Sequence, residues 1–231
     1  MKISVIGTGA AGQFLAAALD RAGHAVVVGT RDPQVTLART EGTATGAGPF
    51  TEWHAEHQGI PVVTLAEAGA HGDIVVNATD GTASVEALRA AGPLDGKIIM
   101  DVANPLDYSH GLPPSLTVCN TDSLAEQLQR EFPAALVVKA LNTVNHVLMV
   151  DPQRLPAPHN VFIAGEDPAA KTEVARILRQ FGWAEDDILD LGGLRAARGL
   201  EMFLPLWVNL MQATGTWDFN IRIVRGAQSA P

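Results

Sequence analysis

Apolar positions along this chain come in short blocks, and the period changes from block to block. Lys2–Ile6 and residues 24–29 are brief apolar, β-branched runs that read as strands, with a helical run over 13–23 between them. The same beat continues to residue 191. Strands are predicted at 61–63, 73–77, 97–102, 135–140, 160–165 and 188–191. Helices are predicted at 64–70 behind Thr64 as cap, at 81–91, at 121–131 behind Thr121 or Asp122, and at 168–181. Such alternation predicts an α/β protein with a doubly wound, mostly parallel Rossmann sheet. Residues 41–59 break the beat: they are rich in Gly, Thr and Ala and read as irregular.

The last forty residues differ. Residues 195–214 form a helical segment that is apolar on nearly every side, which predicts burial against both the main domain and a second subunit. Arg198, Glu201, Asn209 and Gln212, with Pro205 in the middle, make it too polar to span a membrane. Residues 219–224 alternate well enough for a final strand. The expected organisation is a dinucleotide-binding domain over 1–192 and a small C-terminal extension over 193–231, serving the substrate cleft and a homodimer.

Composition narrows the function classes. Of 231 residues, 47% are hydrophobic and 18% charged, so a substantial core can form. A net charge of −9 without a basic run argues against nucleic acid and anionic membranes as partners and leaves a small-molecule or cofactor substrate. The chain opens directly on a core strand, so no signal peptide is expected. Cys119 is the lone cysteine, which excludes an internal disulfide and suits a reducing cytoplasm; a buried packing thiol is expected there. His54 and His57 could share a helix face, but no third ligand stands near them and no metal is expected.

The chemistry begins at Gly7-Thr8-Gly9-Ala10-Ala11-Gly12, a glycine turn between the first strand and the first helix. Gly7 permits the turn, Gly9 lets a pyrophosphate approach the backbone, and Gly12 allows close helix packing. The helix N-terminus then offers free N–H groups to the phosphates. The second strand ends in Gly29-Thr30-Arg31, with no carboxylate at its tip to accept from a ribose hydroxyl. Thr30 and Arg31 suit a 2′-phosphate, so NADP(H) is expected over NAD(H). Asp32-Pro33 reads as the cap and first residue of the next helix.

Three further loops should line the crevice beyond the strand ends. Asn77, Ala78 and Thr79 follow one strand, Ala103, Asn104 and Pro105 another, and all six are assigned to the cofactor. Asn142, Thr143 and Asn145 follow a third and, with Trp207, are assigned to the substrate. Amides offer both donors and acceptors to a carboxamide, a ribose or a flavin-like ring edge. A Tyr-x-x-x-Lys pair is excluded, because Tyr108 is the only tyrosine and Leu112 stands where the lysine would be. His110 and Lys139 are the candidate acids, His146 lies in a suitable loop, and Lys139 is placed to pair with Asp101. A site of amides and apolar groups suits hydride transfer to an acceptor polarised by its own electronics, such as a flavin or deazaflavin. The alternatives are an NADPH-dependent reductase of a small carbonyl or imine, with His110 or Lys139 as acid, and a non-catalytic NADPH-sensing or partner-binding module.

The chain also resembles the NADPH-dependent reductases of the deazaflavin coenzyme F420, and is similar to the NADPH-binding part of STEAP-type ferric reductases. The residues that carry the likeness are the Gly7 to Gly12 turn, Val28-Gly29-Thr30-Arg31-Asp32, Asp101-Val102-Ala103-Asn104-Pro105, Val138-Lys139-Ala140-Leu141-Asn142-Thr143, Val161-Phe162-Ile163-Ala164-Gly165, and Leu191-Gly192-Gly193-Leu194 with the helix after it. The resemblance implies that Thr8, Thr30 and Arg31 hold NADPH. It implies hydride passing across a cleft between the main domain and the C-terminal part, and a homodimer. Members often carry a lysine four residues after the arginine, where this chain has Val35.

Overall fold

In the computed structural model, which describes residues 1–43 and 46–226, the alternating pattern resolves into a sheet covered on both faces. The chain runs β1 (Lys2–Ile6), α1 (Ala10–Arg21), β2 (Ala25–Thr30), α2 (Pro33–Leu37), α3 (Phe50–Glu56), β3 (Val62–Thr64), α4 (Leu65–His71), β4 (Ile74–Asn77), α5 (Ser84–Ala90) and β5 (Ile98–Asp101). It continues through β6 (Leu106–Asp107), β7 (Ser115–Leu116), α6 (Leu124–Glu131), β8 (Leu136–Ala140), α7 (His146–Val150), β9 (Val161–Gly165), α8 (Pro168–Gln180), β10 (Ile188–Asp190) and α9 (Ala197–Thr214).

Eight strands form one sheet in the order β10-β9-β8-β5-β4-β1-β2-β3, and β6 and β7 make a separate small hairpin. From β3 to β8 every neighbouring pair is parallel; β9 then runs antiparallel to β8 and β10 parallel to β9. Strand periodicity sends alternate side chains to opposite faces. Ile3 and Val5 of β1 join one core with Leu15 and Leu19 of α1, Leu148 of α7 and Ile177 of α8. Ile6 joins the opposite core with Leu65 of α4, Leu88 of α5 and Leu128 of α6. The order in which strands are added reverses beside β1, with β2 and β3 on one side and β4 on the other, and that switch point sets the crevice where Gly7 and Ala78 meet.

Several expectations are corrected. Residues 41–59 are not wholly irregular: α3 lies within them, with Phe50 fully buried in the core under α1. Ser123 rather than Thr121 or Asp122 caps α6, because its hydroxyl reaches the Glu126 amide while Asp122 pairs with Arg130. Residues 219–224 form no strand; Asn160 N–H donates to the Ile221 carbonyl, but the Ile223 amide donates to the Asn160 side chain, which ends any ladder. Cys119 is exposed rather than packed. Within one chain α9 buries only a face built from Ala197, Leu200, Glu201, Trp207 and Val208; Met202 and Leu206 stay exposed.

What fastens α9 to the sheet is a charged cluster buried from solvent. Lys139 Nζ, at the end of β8, lies 2.9 Å from Asp101 Oδ2 and 2.8 Å from Glu201 Oε1, and donates to the Ala103 carbonyl at 2.5 Å. Asp101 Oδ1 accepts from Asn77 and from the Ala103 amide. Glu201 of α9 accepts from the Leu124 and Ala125 amides at the start of α6, so it completes that helix terminus from another element. Burial works to lower the Lys139 ammonium, but the Asp101 and Glu201 carboxylates outweigh it and hold it above its ordinary value. The Glu201 carboxyl is pushed upward, by burial first and with Asp101 adding to it, against the pull of Lys139.

Two outcomes follow from this packing. A Cβ on Gly7, whose φ is +126°, would stand 2.2 Å from the Ala78 carbonyl oxygen. Gly7→Ala is expected to cost at least about 1–3 kcal/mol from backbone strain alone, read from the denaturant midpoint. Lys139→Met strands two buried carboxylates and is expected to cost about 3–5 kcal/mol at neutral pH. The pH dependence has two parts. A raised ammonium stabilises below its unfolded value and is lost only as pH rises through the folded one. A raised carboxyl binds its proton more tightly in the folded state, so its contribution declines as pH rises beyond the ordinary carboxylate range. Glu201→Gln should flatten that decline in urea melts across the acidic range; an unchanged slope would refute the assignment.

Candidate dinucleotide and substrate site

The glycine turn places two cavities end to end. Gly9 caps α1 with no side-chain bond, so the first-turn amides of that helix are unclaimed by any capping side chain. A Cβ built on Gly9 would have no atom within 4 Å, which leaves open space over the turn. Gly12 is the opposite case, its Cβ position lying 2.1 Å from the Gly7 carbonyl oxygen. The helix start is therefore drawn tightly onto the turn while the Gly9 side faces outward.

On one side of the turn lies a cavity of about 680 Å³, lined by Thr8, Thr30, Arg31, Asp32, Thr36 and Arg39 among others. Thr30 shares a hydroxyl hydrogen bond of 2.8 Å with Thr36. Asp32 is committed to capping α2, accepting from the Val35 amide at 3.0 Å. Arg31 is exposed and has no ion-pair partner among the described residues. No carboxylate stands at the tip of β2.

On the other side is a cavity of about 380 Å³ beyond the ends of β1, β4, β5 and β8. Its lining takes Gly9, Ala10 and Ala11 from the turn, Ala78 and Thr79 after β4, Ala103 and Asn104 after β5, and Asn142, Thr143, Asn145 and His146 after β8. Leu204, Trp207 and Trp217 close it from the C-terminal segment, and Tyr108 from the small hairpin. Trp207 stacks on Phe219 with 5.2 Å between centroids and packs at 5.6 Å against Trp217. Asp80 is the single formally charged residue of the lining. Burial lowers the His146 imidazole and favours its neutral form; burial and the Asp80 charge raise the Tyr108 phenol.

The asparagines mostly bind one another and the backbone. Asn77 is fully buried, donating to Ser84 and Asp101 while its oxygen accepts from Thr79. The Asn104 amide nitrogen donates to the Asn142 carbonyl, and its oxygen accepts from the Asn142 side chain, both at 2.9 Å. Asn142 also donates to the Leu200 carbonyl, leaving its own side-chain oxygen buried without a partner. Trp207 Nε1 is a second buried polar atom without a partner in the same lining. Asn145 caps α7, accepting from Val147 and Leu148, and donates to the Trp217 carbonyl. Leu141, at φ +59°, holds a backbone shape that bulky residues avoid, and this bend carries Asn142 and Thr143 off β8 toward the cavity.

Most of the residues singled out in the sequence thus line one of the two cavities. Gly7, Gly12, Asn77 and Pro105 support the backbone behind them. His110 is exposed on the β6–β7 loop, and Lys139 has no accessible surface. The structure adds Arg39, Phe14, Tyr108, Leu204 and Trp217, which carried no motif; Phe14 meets the His146 ring edge-on at 4.8 Å. A larger hollow of about 690 Å³ lies at the β10 edge, where Arg222 and Arg225 face Glu185, Asp186 and Asp187. It touches neither the turn nor the strand ends that form the switch point. Among the described residues no cluster of His, Cys, Asp or Glu could hold a metal, and no helix is long and apolar enough to cross a membrane.

Comparison with known proteins agrees with this geometry. Residues 2–105 match the family model described as NADP oxidoreductase, coenzyme F420-dependent. A crystal structure from Arthrobacter sp. FB24, provisionally named an F420-dependent NADP-reductase, is 51% identical with a TM-score of 0.91, covering 97% of this chain and all of that one. The F420-dependent NADP reductase of Methanothermobacter marburgensis is 27% identical over 230 residues, 96% of this chain and 98% of its own length. Metalloreductase STEAP3 of Rattus norvegicus is 29% identical over 211 residues, 89% of this chain, and the match spans 38% of that longer protein. Near-complete coverage at half identity, together with the glycine turn and the cavities it joins, places the chain in the family of coenzyme F420-dependent NADP oxidoreductases.

Proposed function

We propose that this chain binds NADP(H) across the two cavities and exchanges a hydride between it and a flat acceptor, a deazaflavin such as coenzyme F420 or a flavin. The observation that carries the reading is the pair of cavities flanking the glycine turn: one holds Arg31 and Arg39, without an ion pair among the described residues and without a strand-tip carboxylate, and the other is aromatic and nearly uncharged. The open space at Gly9 and the uncapped start of α1 fit a pyrophosphate passing between them.

In this reading Thr8, Thr30 and Arg31 hold the phosphorylated ribose, and Gly9, Ala10 and Ala11 present amides to the pyrophosphate. Ala78, Thr79, Ala103 and Asn104 pack around the nicotinamide, with Gly7, Gly12, Asn77 and Pro105 fixing the backbone behind them. Bound NADPH supplies the hydride. Asn142, Thr143 and Asn145 shape the acceptor side, and Trp207 and Trp217 exclude water from it. Leu204 and the stacked aromatics favour a planar ring. The absence of Lys and Arg from this lining fits the ring of a deazaflavin better than its anionic tail, and Arg198 is already paired with Glu126 at 2.7 Å. His110 and Lys139, the acids of the carbonyl-reductase alternative, do not line the cavity. The exposed Met202 and Leu206 support a homodimer through α9 of the 193–231 extension, whose residues 227–231 lie outside the described residues, and a free, exposed Cys119 suits the reducing cytoplasm.

Two measurements test the reading. Arg31→Ala should weaken NADPH binding by about 1.5–3 kcal/mol in calorimetry, the range for hydrogen bonds to charged groups, and leave NADH nearly unchanged. Equal losses would refute the cofactor assignment. Rapid mixing with NADPH should reduce oxidised coenzyme F420 or FMN in a single hydride-transfer phase. Tight NADPH binding with no reduction of either would overturn the acceptor.

A further inference from the structure

We infer that Arg39, together with Arg31, forms a two-arginine receptor for the ribose phosphomonoester of NADP(H), making Arg39 a specificity-determining residue. The inference rests on the cofactor reading above and names a residue that no motif of the chain marks.

Arg39 follows α2 and reaches back across the cavity to the glycine turn. Its Nη1 donates to the Thr8 hydroxyl at 3.1 Å and its Nη2 to the Thr8 carbonyl at 2.6 Å. The guanidinium carbon lies 5.3 Å from the centroid of the Phe50 ring, so one face of the cation rests on α3. The plane is held from two directions before any ligand arrives. Arg39 Nε is nevertheless buried without a partner, and among the described residues no carboxylate lies within ion-pair distance. Arg89, Arg130, Arg154, Arg176, Arg179 and Arg198 are by contrast paired with Asp or Glu.

Two guanidinium groups with no carboxylate partner therefore line one cavity with Thr8, Thr30 and Thr36. Of the two acids there, Asp32 is turned to its own helix, and the exposed Glu41 forms no ion pair with either arginine. A guanidinium carries five N–H donors, and two on Arg39 are engaged by Thr8, so donors remain for an anion. A preoriented guanidinium with a second, exposed one in the same lining, beside hydroxyls, matches a phosphate, whose oxygens accept several charge-assisted hydrogen bonds. A ribose bearing two free hydroxyls would favour a carboxylate acceptor instead, and none stands at the tip of β2.

The test uses the whole chain with adenosine 2′,5′-bisphosphate and 5′-AMP as probes in calorimetry. Wild type should bind the bisphosphate at least tenfold more tightly than 5′-AMP. Arg39→Ala should lose tenfold or more for the bisphosphate while 5′-AMP changes less than twofold. Arg39→Lys should recover part of that loss, since it restores charge without the fork. Thermal melts of each variant check that the fold survives, and Arg39→Lys carries the test if Arg39→Ala does not fold. Equal losses for both probes would mean that Arg39 only braces the turn, and would overturn the inference, as would no loss for either. A wild type with no preference for the bisphosphate would instead overturn the cofactor reading, and this inference with it.

Discussion

The buried contact of Lys139 with Asp101 and Glu201 is the constraint on which the site depends. It gathers the ends of β5 and β8, the start of α6 and the body of α9 at one point buried from solvent. Removing ions from water is costly, so such a cluster persists only when its remaining donors and acceptors are filled. Here Asn77, the Ala103 amide and carbonyl, and two α6 amides fill them. The loop that bears Ala103 and Asn104 is thereby set against the loop that bears Asn142, and α9 is set to bring Leu204 and Trp207 over both.

The same economy of polar groups governs the cavity walls. The asparagines after the strands face other loops: Asn104 and Asn142 exchange hydrogen bonds, Asn145 joins α7 to Trp217, and Asn77 sits beneath the floor. Their first effect is to hold three loops at fixed spacing around a nearly uncharged hollow. Such a hollow, preorganised and closed by aromatic rings, suits transfer of a hydride, which needs alignment and dryness more than an acid. The arginine-bearing end of the site is built differently: Arg39 is held by the Thr8 hydroxyl and the Phe50 ring rather than by a carboxylate.

Local chemistry made much of this legible. The glycine turn, the strand tip without an acid, the caps Asp32 and Thr64 and the positions of the eight strands of the main sheet each depend on neighbouring residues, and each is found where the pattern put it. The Lys139–Asp101 pairing could also be read, since both lie at strand ends. Glu201 gave less away: a single acid in an apolar helix looks like an exposed interruption until the partner element is known. Arg39 gave no signal, because its partners Thr8 and Phe50 lie 31 and 11 positions away on either side.

By itself the sequence determined the strands of the sheet, the turn that opens it and the strand tip without an acid, because period, glycine geometry and capping act over a few residues. Only the tertiary structure decided which polar side chains face a ligand and which face each other, that 219–224 do not pair as a strand, and that α9 is held by a buried charge. Those outcomes turn on which desolvated groups find partners, and that competition is settled between segments far apart in the chain.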